Sequence, residues 1–241
     1  MSDLLSRAAV LLAAIALAAG TIDRNREYRS SLTLAETVVE RYPSSVGHHV
    51  LATELIAAGR RDEALAQLQQ ALPGDPRAHY TLGVLFVSDS RWDEAIRELS
   101  EFVREVPLLF EARQARIMLG KALAKKERWA EAIDEFHMVL SMNPSKEEQV
   151  DVLTASAIAY LATGRSELAL PLFQQALAID PANYVLEHNL ANALFDTHDL
   201  AGAAAHARRA LVLRKDDAQA RDLLDQILAL QRASANGKRP A

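Results

Sequence analysis

The 241-residue chain contains no cysteine. A disulfide framework, a thiolate metal site and a lipid attached through cysteine are therefore excluded, while the compartment stays open. Aromatic residues make up only 5% of the chain although 50% of it is hydrophobic. The apolar content is carried by alanine and leucine, a composition of helices rather than sheets. A basic excess is missing too, since 27 Lys and Arg face 32 Asp and Glu for a net charge of −5. Nucleic-acid binding normally needs a clustered basic face, and this balance offers none.

The motifs of common catalytic sites are likewise absent. There is no phosphate loop of the G-x-x-x-x-G-K type, no dinucleotide fingerprint, no H-E-x-x-H and no G-x-S-x-G. Of the seven histidines, His48 and His49 are neighbours and would project about 100° apart on a helix. His198 and His206 have no third ligand near them in sequence. The acidic residues Asp62, Glu63, Asp93, Glu94 and Glu131 recur at the starts of helical segments. Negative charge suits a helix N-terminus, so capping explains them better than acid–base chemistry. The expectation is a chain that is no enzyme and takes no cofactor and no metal.

One apolar run stands out, residues 1–22, with Arg7 ahead of A-A-V-L-L-A-A-I-A-L-A-A-G. It reads as a cleaved signal peptide with Ala16-Leu17-Ala18 as cleavage signature, as a membrane anchor with Arg7 snorkelling, or as a terminal helix packed on the rest of the chain. Export or anchoring is the favoured reading and puts the remainder on the extracytoplasmic side of a membrane. A cytoplasmic chain is the alternative.

What is present instead is repetition. Residues 153–181, L-T-A-S-A-I-A-Y-L-A-T-G-R-S-E-L-A-L-P-L-F-Q-Q-A-L-A-I-D-P, read as two amphipathic helices joined at Thr163-Gly164-Arg165. Antiparallel helices cross closely only where side chains are small, and Ala157 and Ala169 supply that contact. Tyr160 and Phe173 fill the space beside the crossing. Gly164 suits a left-handed helix end, and Pro181 stops the second helix. Second-helix alanines recur at 64, 95, 132, 169 and 203, with spacings of 31, 37, 37 and 34 residues. In type, order and period these residues resemble the tetratricopeptide repeat (TPR) family, whose repeat is about 34 residues.

The resemblance implies an all-α, right-handed helical-hairpin solenoid with a C-terminal capping helix. Residues 23–44 form a linker and half-repeat helix, 45–217 five repeats, 218–232 the cap, and 233–241 a disordered tail. Ser90, Glu127 and His198 stand where Gly59 and Gly164 sit, so those turns use another geometry or carry strain. Phe102 and Val139 replace the small residue seen at Ala71 and Ala176, which should spread the helices there. Long linkers before repeats three and four fit that looser packing. A second resemblance lies in T-x-x-R-N-x-x-Y, Thr21, Arg24, Asn25 and Tyr28. It is similar to the junction between membrane helix and repeats in O-mannosyltransferase-like membrane proteins and implies an accessory domain of such a system.

In TPR proteins the first helices line a groove that holds a protein or peptide partner. Carried onto this sequence, those positions are His49, Thr53 and Ile56, then Tyr80, Val84 and Val87, then Ile117, Lys121 and Lys125. Repeat four gives Thr154, Ile158 and Leu161, and repeat five His188, Asn192 and Phe195. The apolar ones either line the groove or pack on neighbouring helices. Tyr80 and Phe195 are the candidate anchors, and Lys121 with Lys125 makes a local positive spot. The family's clamp for a peptide C-terminus does not fit, because Asn189 and Asn192 lie two repeats from those lysines.

Overall fold

The computed structural model describes residues 30–107 and 110–237. Within them are twelve helices and no strand: α1 Ser31–Arg41, α2 Ser45–Ala57, α3 Arg61–Ala71, α4 Arg77–Ser88, α5 Trp92–Glu105, α6 Phe110–Lys125, α7 Trp129–Ser141, α8 Lys146–Ala162, α9 Ser166–Ile179, α10 Tyr184–Asp196, α11 Leu200–Leu213 and α12 Ala218–Gly237. The fold is all-α and TPR-type. The chain divides after Leu82, within α4, into two compact units. The apolar run of residues 1–22, the residues of the T-x-x-R-N-x-x-Y junction and residues 238–241 lie outside the described ones. Among the described residues no helix is long and apolar enough to cross a membrane.

In the first unit α1 packs on α2 and α2 on α3. Arg60 pairs with Glu36 of α1 at 2.8 Å and with Glu63 at 2.6 Å, and the Ser31 hydroxyl bonds to Glu54. In the second unit each helix from α5 to α12 packs on the next, and α12 contacts both α11 and α10. It thus covers the face that a further repeat would cover, which is the work of a cap. Because α12 runs to Gly237, residues 233–237 are helical rather than tail.

Two features make these hairpins close. The crossing alanines Ala52, Ala64, Ala157, Ala169, Ala191 and Ala203 are wholly buried. At the equivalent place repeats two and three have Gly83 and Gly120, where a Cβ would collide with Leu99 and with the Phe136 ring. In repeats one and four, with Leu68 and Phe173 at the corresponding second-helix position, the first helix carries Ala52 and Ala157 instead. Phe102 and Val139, expected to spread their neighbours, are fully buried. α9 runs through Pro171, although proline forfeits a helical hydrogen bond. Ala169, Phe173 and Ala176, all fully buried on its inner face, hold it together.

The second feature is the turn. All five hairpins end their first helix on a left-handed residue: Gly59 and Gly164 at φ of 75° and 70°, Ser90, Glu127 and His198 at 57°, 58° and 64°. In each, that residue's N–H donates to the carbonyl three back and the next N–H to the carbonyl five back, at 2.8 to 3.0 Å. This is the Schellman closure. Of the two outcomes open for Ser90, Glu127 and His198, strain is the one realised. The following residue is Arg60, Arg91 or Arg128 in repeats one to three, and each holds the glutamate three residues on, Glu63, Glu94 or Glu131, at 2.6 to 2.8 Å.

The spacings of 37 residues are not spent on linkers. α6 and α8 are 16 and 17 residues long, against 13, 12 and 13 for α2, α4 and α10. The extra residues form one added turn at the N-terminus of each first helix. The loop before α8 spans only 142–145.

Because a non-glycine residue in the left-handed region costs about 1–2 kcal/mol, Glu127→Gly should stabilise the protein by roughly 0.5–1 kcal/mol after glycine's own chain entropy is charged. Gly164→Ala should destabilise it by a similar amount. Urea melts followed by circular dichroism measure both, and shifts of the same sign in the two variants would contradict the turn argument.

Candidate functional site

In the second unit the first helices touch one another, α6 with α8, α8 with α10 and α10 with α12. They form an inner wall of the hairpin stack. A cleft of about 1030 Å³ opens in it. α6 contributes Arg113, Gln114 and Ile117; Ser145 and α8 contribute Lys146, Glu147, Glu148, Val150, Asp151 and Thr154. Ile179, Asp180, Asn183, Val185 and Leu186 close it at the joint from α9 to α10.

The cleft is built by helix starts. Ser145 caps α8 in a reciprocal box: its hydroxyl accepts from the Glu148 N–H at 3.2 Å, and its own N–H donates to Glu148 Oε2 at 2.8 Å. The other oxygen of Glu148 accepts from Arg113 Nε at 3.1 Å. Partial burial opposes the charge on Glu148, but the Ser145 N–H, the Arg113 guanidinium and the Ser145 hydroxyl together hold its carboxyl below the usual value. Asn183 caps α10 by accepting from the N–H groups of Val185 and Leu186, and its amide donates to Asp180 at 2.9 Å. Outside the cleft, Phe110 is 78% exposed at the first position of α6, with Arg113 over its ring at 5.2 Å.

Of the groove positions named from sequence, Ile117 and Thr154 line this cleft. Lys121 stands beside it, its ammonium 2.6 Å from Asp151, so its charge is already met by the chain itself. Lys125 is exposed at the end of α6, and Ile158 is 42% exposed on α8. Asn192 and Leu161 are half-buried, and Phe195, like Leu161, packs against the core of the last repeats. Val84 is exposed and Val87 half-buried on α4.

In the first unit Thr53 is exposed, with its hydroxyl bonded to the carbonyl of His49, and Ile56 and Tyr80 are half-buried. His49 is engaged at both nitrogens, with Asp75 at 2.7 Å and the Thr81 hydroxyl at 2.9 Å. Nδ1–H donates to the carboxylate, and Nε2 meets the Thr81 hydroxyl, which also reaches the Arg77 carbonyl at 3.2 Å. Asp75 also accepts from the Arg77 N–H at 3.0 Å. The histidine therefore ties α2 to the start of α4. His188 in the second unit faces the Asp217 carboxylate that caps α12, but its buried Nδ1 stands 3.8 Å away and makes no hydrogen bond.

A polar bridge inside the repeats was not foreseen. His48 meets Gln67 at 2.7 Å, Arg116 meets Glu135 at 2.5 Å and His206 meets Glu187 at 2.6 Å, each joining first helix to second. Repeat four places Leu153 and Leu172 at the same two positions. Among the described residues no group of histidines and carboxylates could hold a metal ion.

Hairpins closed by alanine crossings and left-handed turns, with first helices stacked on an inner wall, define a TPR-type helical scaffold. A tetratricopeptide repeat family model matches residues 188–216. The family model described as T7SS, ESX-1 secretion system protein EccA1, N-terminal domain, matches residues 43–198, more than half of the chain, and the chain belongs to that family.

A rat protein, DnaJ homolog subfamily C member 3, is 35% identical over 105 residues, 42% of this chain but only 20% of its own length. The chain thus spans about a fifth of that relative. Among solved structures, YrrB, described as a TPR protein with an unusual peptide-binding site, superposes with a TM-score of 0.69 over 77% of this chain and 95% of its own, at 19% identity. MamA does so with 0.62 over 73% and 94%, at 18%. At these identities the structures share the fold. The family models begin at residue 43, so they do not touch the O-mannosyltransferase-like resemblance at residues 21–28.

Glu148 stays ionised to lower pH in the folded chain than in the unfolded one, so its stabilisation is full above the ordinary carboxylate range and fades as pH falls through its depressed value. Glu148→Gln should cost about 1 kcal/mol at pH 7. The difference from the unaltered protein should shrink as the pH is lowered through the carboxylate range. Thermal melts across that range check it, and a difference independent of pH would refute it.

Proposed function

We propose that this chain is a non-catalytic scaffold that holds a segment of a partner polypeptide against the inner wall formed by α6, α8 and α10. The observation that carries the reading is the cleft between those helices. Its size reaches the upper end of ligand sites, about 1,000 Å³, but small-molecule pockets are mostly apolar and enclosing. This one is open, with charged rims over a floor of Val150, Val185 and Leu186, which suits a chain segment anchored by a few side chains. The family's name associates its members with the ESX-1 secretion system, so a component or client of such a system is the first partner to test. The relay from Asp75 through His49 to Thr81 fits this reading as an inter-repeat tie.

Val185→Arg and Thr154→Arg should abolish capture of partners by the full-length protein while leaving its helical circular dichroism unchanged. Equal capture by both variants would remove the cleft from the account.

In this reading residues 1–22 carry the scaffold to a membrane or across it, because nothing else in the sequence is comparably apolar over such a length. A version starting at Thr21 should move from the membrane or exported fraction to the cytosolic one. Identical distribution of the two versions on cell fractionation would discard that role.

A further inference from the structure

The added turns of α6 and α8 do more than lengthen two helices. They bring Arg113, Lys146, Glu147 and Glu148 to the rim of the cleft. Four carboxylates, Glu147, Glu148, Asp151 and Asp180, thereby face two cations, Arg113 and Lys146. Arg113 is taken up by Glu148. Glu147 and Asp151 lie four residues apart on α8, on one face of the helix, where like charges repel. Asp151 is met by Lys121 at 2.6 Å, but the two side chains are 44% and 49% exposed. An exposed pair of that kind contributes little, so an incoming cation can replace Lys121 with small loss. Val185, which lines the same cleft, is 39% exposed.

We propose that the cleft selects a polypeptide segment in which a lysine or arginine adjoins an apolar side chain. The cation settles between Glu147 and Asp151, relieving their repulsion, and the apolar neighbour covers Val185. The selectivity rests on the groove reading above, and it reverses the sign that Lys121 and Lys125 suggest when the sequence is read alone.

A random dodecapeptide library displayed on phage and panned against the full-length protein tests both. The expected result is enrichment of sequences with Lys or Arg beside an apolar residue. The best of them, synthesised and titrated by calorimetry, should bind at least fivefold more weakly to Glu147→Gln/Asp151→Asn, lose affinity as salt is raised, and not bind Val185→Arg. All three proteins should give the same circular dichroism. Enrichment of acidic or wholly apolar sequences, or unchanged affinity in the double variant, overturns the cationic selectivity while the groove survives. A library that yields no binding peptide overturns the groove as well.

Discussion

Two helices can lie with their axes close only where the side chains between them are nearly absent, and every hairpin in this protein depends on that condition. It is met at one position on the first helix, by Ala52, Gly83, Gly120, Ala157 and Ala191, and at one on the second, always alanine. On the first helix glycine and alanine are placed without regard to the bulk of the second, since repeat one has Leu68 with Ala52 where repeat two has Leu99 with Gly83. Where the second helix carries Leu99 or Phe136 the first gives up its Cβ altogether, and where it carries Phe173 an alanine suffices. Dispersion and apolar burial at such crossings outweigh the losses taken elsewhere, including the missing hydrogen bond at Pro171 and the left-handed turn residues Ser90, Glu127 and His198.

The strained turns show why close crossing dominates. A Schellman closure satisfies two carbonyls at the helix end and reverses the chain in two residues, which sets the second helix at the angle the alanines need. A longer turn without positive φ would avoid a cost of about 1–2 kcal/mol but would separate the crossing positions and forfeit more in packing. The arginine that follows in repeats one to three then replaces an ordinary side-chain cap. It gives no hydrogen bond to the helix end, yet it clamps the first-turn glutamate and keeps that carboxyl ionised below its usual range.

Much of this fold was legible because small residues and prolines are irreplaceable at their stations and so recur at a fixed period. What was not legible has physical reasons as well. The glycine substitutes at Ser90, Glu127 and His198 carry no signal of φ, since the neighbours impose the conformation. The polar bridges always sit 19 residues apart, as in His48 and Gln67, Arg116 and Glu135, or Glu187 and His206. Their chemistry changes from repeat to repeat, so only the separation would have revealed them. The added helical turns were hidden in the 37-residue spacings, which do not say whether extra residues coil or loop. Ser145 and Glu148 do say it, because S-x-x-E places a capped helix start there.

The distribution of polar groups along the first helices separates structure from recognition. His49 and His188 occupy the same station in their repeats and both face the aspartate at the start of the next first helix, but only His49 bonds to it, at 2.7 Å, while His188 stands 3.8 Å away. At that station α6 carries Ile117, which has no polar group, and α8 carries Thr154, whose hydroxyl donates to the Val150 carbonyl at 2.6 Å. The wall there is joined instead by Arg113 with Glu148, a half-buried pair near the helix starts, while Lys121 with Asp151 is an exposed pair that adds little. Moving the tie outward leaves the middle of the wall without a bridging group, and the cleft is the space so vacated. A scaffold made of equivalent hairpins thus gains one distinct place, and does so by changing where neighbouring helices are fastened and leaving the crossing unaltered.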